Sequence, residues 1–226
     1  MANLALFDLD HTLLACDSDV QWSQFLYDHG YISQQENVLR ERYSQDYHNG
    51  TLDLQAFLKF QIGILGQFCL TELEYMHKQF MHDYILPNIH PAAYDLVKGH
   101  EKDDCLLVSA TNEFIITPIA HHFGITEVIG VSLVKDKQGN YTGEYFGIPS
   151  YREGKVMRVE QWLKQYHKSW QDYQSSYFYS DSFNDIPLLS KVDVPIAVNA
   201  DDKLAAWAKE KNWICLLYTS PSPRDL

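Results

Sequence analysis

Four segments of this 226-residue chain close apolar runs with polar residues that could do chemistry together. FDLDHTLL carries Asp8, Asp10 and Thr12; LLVSATN carries Ser109; EGKVMRVEQWL carries Lys155; and YSDSFNDIPLL carries Asp181, Asn184 and Asp185. Singly, each is a weak signal. Two acids near a strand end usually make a turn, a serine usually satisfies nearby backbone, and a first-turn lysine on an amphipathic helix is usually solvated. Asp181 and Asp185 separately read as a turn and as a helix N-terminal charge. Their order matters more, because each stands where a parallel sheet opens its crevice, at the carboxyl ends of strands. There one carboxylate can act as a nucleophile while a second, turned by the loop two residues on, protonates a leaving oxygen and then activates water. Lys155 and Ser109 could hold the oxygens of an anion. Several acids around a dianionic substrate require a cation, since like charges about 4 Å apart repel by about 4 kcal/mol even at an effective dielectric of ~20. Oxygen-only ligands indicate Mg²⁺.

These residues need a scaffold to bring them together. Leu4 to Asp8 reads as a buried parallel strand ending in a carboxylate. From about Asp17 to His82, apolar positions such as Trp22, Phe25 and Leu26, then Leu54, Phe57, Leu58 and Ile62, recur at helical spacing. That pattern predicts a four-helix insertion with breaks at Gly50-Thr51 and Leu70-Thr71, Thr71 capping the last helix. After Pro87, helix and strand alternate. Helices are expected near 91–101, from Glu113, along Val156–Tyr166, just after Asn184 and over 201–211. Strands are expected near 105–110, 127–134, 141–146, 177–180 and 195–198, with Lys137–Asn140 turning the chain between the second and third. The fold expected is therefore α/β: a Rossmann-like, doubly wound parallel sheet with a helical cap inserted after the first strand. Residues 1–16 and 84–214 would form the core and 17–83 the cap. Residues 215–226 turn abruptly Ser/Pro-rich, and CLLYTSPSPRD looks like a reading frame of a sequencing adapter, so this tail is expected to lie outside the fold.

Composition narrows the function. Lys and Arg number 18 against 30 Asp and Glu, a net charge of −12, which repels both phosphodiester backbones and anionic lipid. Neither nucleic acid nor a membrane is expected as a partner. The four cysteines, Cys16, Cys69, Cys105 and Cys215, form no C-x-x-C pair and read as packing residues. MANLALFDLD lacks a basic start and an export-length apolar run, and no stretch approaches the ~20 apolar residues of a membrane span, so a cytoplasmic location is expected. The ten histidines contain no H-E-x-x-H, and all, including His11, read as structural. Most aromatics read as core, although Trp22, Tyr27 and Tyr31 could wall a pocket.

The four segments, in this order and spacing, resemble the haloacid dehalogenase superfamily of aspartate-nucleophile phosphatases, over essentially all of residues 1–214. The resemblance implies that Asp8 attacks phosphorus and Asp10 serves as acid and base. It further implies that Asp8, Asp181 and the Asp10 carbonyl hold Mg²⁺, and that Asp185 orients metal waters and Lys155. Thr12, Ser109, Lys155 and Asn184 would bind the phosphoryl group. A helical insertion between the first two segments implies the phosphoserine-phosphatase-like subgroup, in which the cap selects the leaving group. Within it, stretches such as FDLDHTLLACDSD, ILGQF, QFMHDYILP and SATNEFIITPIA look most like bacterial histidinol-phosphatases. The implied substrate is a small phosphorylated metabolite, L-histidinol phosphate, hydrolysed by a monomer or homodimer. Asp17, Asp19 and Asp28 near the cap start suit an ammonium and an imidazole. Phosphoserine is the alternative; its carboxylate would want an arginine, for which Arg40 and Arg42 are candidates, and the usual G-M-x-F segment is missing. A receiver-type signalling domain needs neither Asp10 nor a helical insertion, and a silent binding module would be expected to have lost an essential residue.

Overall fold

Along the first strand, β1 (Leu4–Phe7), successive side chains feed opposite hydrophobic layers. Ala5 and Phe7 join Leu107, Val131 and Ile196 on one face, while Leu4 and Leu6 join Leu106, Val108, Ile129 and Phe178 on the other. A central strand of a parallel sheet is apolar throughout for this reason. The computed structural model describes residues 2–49 and 51–218. Beyond β1 its strands are β2 (Asp104–Asn112), β3 (Glu127–Lys135), β4 (Tyr141–Phe146), β5 (Ser176–Ser180), β6 (Val194–Val198) and β7 (Ile214–Leu216). They form one seven-stranded sheet in the order β4-β3-β2-β1-β5-β6-β7. Only β4 runs antiparallel to its neighbour.

Helices cover both faces, as the alternation predicts. On the Leu4/Leu6 face, α7 (Glu153–Gln165), α8 (Ile186–Leu189) and α9 (Asp202–Lys211) supply Val159, Leu163, Leu188, Leu204 and Ala208. On the other face lie α5 (Pro91–Lys98) and α6 (Glu113–His122), together with the inserted α1 (Ser18–Asp28), α3 (Leu54–Leu65) and α4 (Leu70–Phe80), while α2 (Gln34–Asn49) packs against α1. Trp22, Phe25, Ile62 and Phe80 from the insertion share one continuous apolar cluster with Phe7 and Ile115. At about 1.5–3 kcal/mol for each such side chain fully buried, the insertion is held firmly to the sheet.

Specific contacts reinforce that seat. A Cβ on Gly66 would lie 2.9 Å from the Gly143 nitrogen, so only glycine lets the end of α3 approach β4 this closely. The Leu70 amide donates to Asn140 Oδ1 at 2.9 Å, and His77 Nε2 lies 2.8 Å from the Ile115 carbonyl. The two ends of the insertion also meet, with Leu14 bridging Ile89 and the Ala15 amide donating to the Asn88 carbonyl at 2.7 Å.

Three expectations change. Cys69, not Thr71, caps α4, because the Glu72 carboxylate reaches back to accept the Cys69 amide at 2.8 Å. Cys69 and Cys215 are exposed rather than packed, and only Cys16 is buried. The sheet also continues into the expected tail: Cys215 and Leu216 pair with Ala197 and Val198. The Tyr218 amide donates to Asn199 Oδ1 at 2.9 Å, and its ring stacks on His90 at 4.8 Å. Residues 219–226 and the Gly50 break lie outside the described residues. Among the described residues, no helix is long and apolar enough to cross a membrane.

Candidate active site

Chain order in the sheet reverses between the paired neighbours β1 and β5, the place in a parallel sheet where ligands are bound beyond the carboxyl ends of the strands. Asp8 follows β1 directly, its amide donating to the Tyr179 carbonyl of β5 at 2.9 Å. It is 6% exposed. Facing it is Lys155, 3% exposed, from the first turn of α7. The loop before α7 is drawn tight: the Tyr151 amide bonds the Pro149 carbonyl at 2.9 Å, and a Cβ on Gly154 would sit 2.0 Å from that same oxygen. Only glycine fits there, and the next side chain is Lys155.

Lys155 Nζ donates to Asp8 Oδ1 at 2.9 Å and to Asp185 Oδ2 at 2.7 Å. Asp185 Oδ2 also accepts the Ser180 hydroxyl at 2.7 Å. Burial alone would depress the ammonium, but Asp185 and Asp8 outweigh it and hold Lys155 above its ordinary value. Burial raises the Asp8 carboxyl to about 6, against the pull of Lys155 and with a push from Asp185. Asp181, after β5, accepts the Thr12 hydroxyl at 3.3 Å. Burial raises it to about 9, with Asp8 and Asp185 adding repulsion. Three carboxyl groups, Asp8, Asp181 and Asp185, thus share one lysine's charge.

The opposite wall is the N-terminus of α1. Asp10 Oδ1 accepts the Ser18 amide at 2.7 Å, and its Oδ2 accepts the Thr111 hydroxyl at 3.1 Å. Asp17 caps the helix, Oδ1 accepting the Asp19 and Val20 amides, each at 2.9 Å. Burial, then Asp17 and Asp8, drive the Asp10 carboxyl well above the usual carboxylate range, so its proton is held more tightly than a solvated acid's. Asp19 is buried beside Gln61 of α3; burial and Asp17 push it up to about 8, while the Gln61 amide opposes the rise.

Other expected residues have more local roles. The buried Ser109 hydroxyl accepts the Thr111 amide at 3.1 Å, and its carbonyl accepts the Ser150 hydroxyl at 2.6 Å. Asn184 Oδ1 accepts from Tyr151 and Arg152. Trp22 does not wall an open crevice: it is 3% exposed and packed among Phe25, His77, Phe80 and Phe114. His11 is exposed. Arg40 is committed to Asn37, Gln24 and Glu41. Thr111, Ser180, Gln61 and Arg152 escaped the sequence reading. Thr111 and Ser180 carried a signal, two residues from Ser109 and next to Asp181; Gln61 did not, since it meets Asp19 only across two helices.

Among the described residues, no three His, Cys, Asp or Glu side chains form a metal-holding group. A site of two carboxylates and a main-chain carbonyl asks for fewer. The hard oxygens of buried Asp8 and half-buried Asp181, with more carboxylates than cations around them, suit a small divalent cation.

The chain matches the haloacid dehalogenase-like hydrolase family over residues 5–190. It is 48% identical over 216 residues to a histidinol-phosphatase of Neisseria meningitidis serogroup C (strain 8013), covering 94% of this chain and 97% of that protein. A crystal structure of a protein of unknown function from Bordetella pertussis Tohama I superposes with a TM-score of 0.90 at 41% identity, covering 96% and 98% of the two chains. A substrate-bound phosphoserine phosphatase superposes with a TM-score of 0.66 over 96% of this chain and 93% of its own; at 19% identity it attests the fold alone. With its strand-order reversal beside Asp8 and the family match over most of its length, the chain belongs to the haloacid dehalogenase-like hydrolases.

Proposed function

We propose that this enzyme, a phosphoric monoester hydrolase, converts L-histidinol phosphate to L-histidinol and phosphate, with Mg²⁺ as cofactor and a phosphorylated Asp8 as intermediate. One observation carries the chemistry: a buried lysine bridges two acids beyond the carboxyl ends of β1 and β5, opposite Asp10, a carboxyl raised well above the usual range by burial. An Asp8 oxygen bonds to phosphorus as the ester oxygen leaves, and Asp10 gives that oxygen its proton. Asp10, now ionised, then takes a proton from water as the water oxygen attacks phosphorus and the bond to Asp8 breaks. Lys155 and Asn184, with the hydroxyls of Thr12 and Ser109, orient the phosphoryl group. Asp8, Asp181 and the Asp10 carbonyl would hold Mg²⁺, which supplies charge neutralisation of the phosphate dianion. Asp185 keeps Lys155 in place.

The substrate follows from the opposite wall. Residues 17–83 act as the cap that sees the leaving group, and its nearest acids are Asp17 and Asp19. An ammonium placed there relieves the repulsion between them, whereas a carboxylate would be buried without a cation. The 48% identity to a histidinol-phosphatase points the same way.

The test is phosphate release from L-histidinol phosphate by full-length protein, followed by borohydride reduction of acid-quenched enzyme and peptide mapping. Turnover that stops with EDTA, returns with Mg²⁺ and labels the peptide containing Asp8 is expected. Full turnover in EDTA, or a label elsewhere, would contradict it.

A further inference from the structure

Ser150 stands outside all four polar segments, yet it is fully buried, and its hydroxyl donates to the Ser109 carbonyl at 2.6 Å. That carbonyl belongs to the stretch of β2 that its neighbours constrain least. Register with β1 runs only to Leu107, opposite Phe7, and register with β3 slips between Val108 and Asn112. Ser109 falls inside the slip. Where a ladder is locally disrupted, a bond from outside the sheet decides how the main chain is held.

The other end of this bond is firmly built. From Ser150 the chain reaches Lys155 through successive tight turns, the Gly154 amide donating to the Tyr151 carbonyl at 2.9 Å and the Lys155 amide to the Arg152 carbonyl at 3.0 Å. Arg158 of α7 anchors the start of the loop, Nη1 donating to the Ile148 carbonyl at 3.1 Å. Lys155 itself is held independently, by Asp8 and Asp185. Of the two phosphoryl-holding residues that Ser150 connects, Ser109 is the one whose place depends on it.

The Ser109 side chain is set as well. Its Oγ accepts the Thr111 amide at 3.1 Å, which fills an acceptor site on the hydroxyl and turns the O–H toward a different partner. A phosphoryl oxygen only accepts, so a donating serine is the useful one, and its aim follows from where the Ser109 main chain is fixed.

Building on the reading above of Ser109 and Lys155 as residues that orient the phosphoryl group, we infer that Ser150 is a positioning residue: by clamping the Ser109 carbonyl to the loop before α7, it aims the Ser109 hydroxyl at the phosphoryl group that Lys155 also meets. Ser150 acts through Ser109 and not on the substrate.

The experiment measures binding of inorganic phosphate to the Mg²⁺-loaded full chain by calorimetry, with kcat, KM and Tm, for wild type, Ser150→Ala, Ser109→Ala and the double variant. All binding is measured well below each Tm, so that only folded protein is compared. In Ser150→Ala, phosphate Kd and KM should rise about tenfold, as for loss of one charge-assisted contact, with kcat within about threefold. In the Ser109→Ala background the same substitution should change Kd by less than about twofold, because a residue acting through another has no further effect once that partner is gone. Ser150→Cys, which fills the same space with a weak donor, should also raise Kd and covers an alanine variant that does not fold. A lower Tm with unchanged phosphate Kd in the Ser150 variants, or losses that multiply in the double variant, would overturn the positioning role alone. An enzyme that hydrolyses phosphomonoesters but whose phosphate Kd is unmoved by Ser109→Ala would overturn the reading of Ser109 and this role with it.

Discussion

The two walls of the crevice are both acidic, yet they are built on different physics. On the sheet side, Asp8 and Asp185 are tied to a buried ammonium at 2.9 and 2.7 Å. On the helix side, Asp10 and Asp17 lean on backbone amides of α1, and no cation among the described residues pairs with them or with Asp19. Pairing with an ammonium favours the ionised form that can attack, whereas burial without a cation favours the protonated form, which suits a proton donor or a site that takes its cation from the substrate. On the function proposed above, the nucleophile stands on one wall, and the proton donor stands with the selecting acids on the other.

Substitutions of Asp8 on the sheet wall and Asp10 on the helix wall should have the largest effects. Asp8→Asn is expected to fold, judged by circular dichroism, and to lose kcat by at least ~10³-fold, as when a nucleophile is removed. Asp10→Asn, which cannot donate the same proton, should lose about 10²–10⁴-fold. Retention of more than about a tenth of kcat, a barrier change of only ~1.4 kcal/mol, would refute either assignment.

Lys155→Met separates the walls by stability. Removing the lysine leaves two buried carboxylates without a counter-charge, and chemical denaturation should register a loss of about 3–5 kcal/mol along with activity. A loss under about 1 kcal/mol would show that Asp8 and Asp185 are better solvated than their burial indicates.

Asp19 should behave oppositely. Its carboxyl titrates near 3.8 when unfolded and near 8 when buried, so the unfolded chain gives up its proton first and stability falls as pH rises between those values. Asp19→Asn should therefore raise Tm at pH 7 by a few degrees, about 2–4 °C for each kcal/mol recovered, and leave it unchanged near pH 3.5. A lower Tm at pH 7 would mean that Asp19 is ionised and paired.

The sequence disclosed these walls unequally. Asp8, Asp10, Lys155, Asp181 and Asp185 could be found because each closes a strand or opens a helix, where local pattern and chemistry coincide. The alternating core was legible for the same reason, down to the turn before β4. Gln61 beside Asp19 and Arg152 behind Asn184 were not, since those pairings arise from tertiary packing that no local period encodes. Trp22 stayed open in the sequence because an aromatic at helical spacing looks the same whether it lines a pocket or fills a core, and it fills the core. The cap of α4 moved to Cys69 through a single reach of Glu72, and β7 was hidden by the abrupt change of composition at residue 215.

The most direct measurement is kcat/KM for L-histidinol phosphate and for L-phosphoserine on the same Mg²⁺-loaded enzyme. Histidinol phosphate should be preferred by at least about tenfold, and Asp19→Asn should shrink that ratio while leaving hydrolysis in place. A preference for phosphoserine would contradict selection of a cationic leaving group by the helix wall.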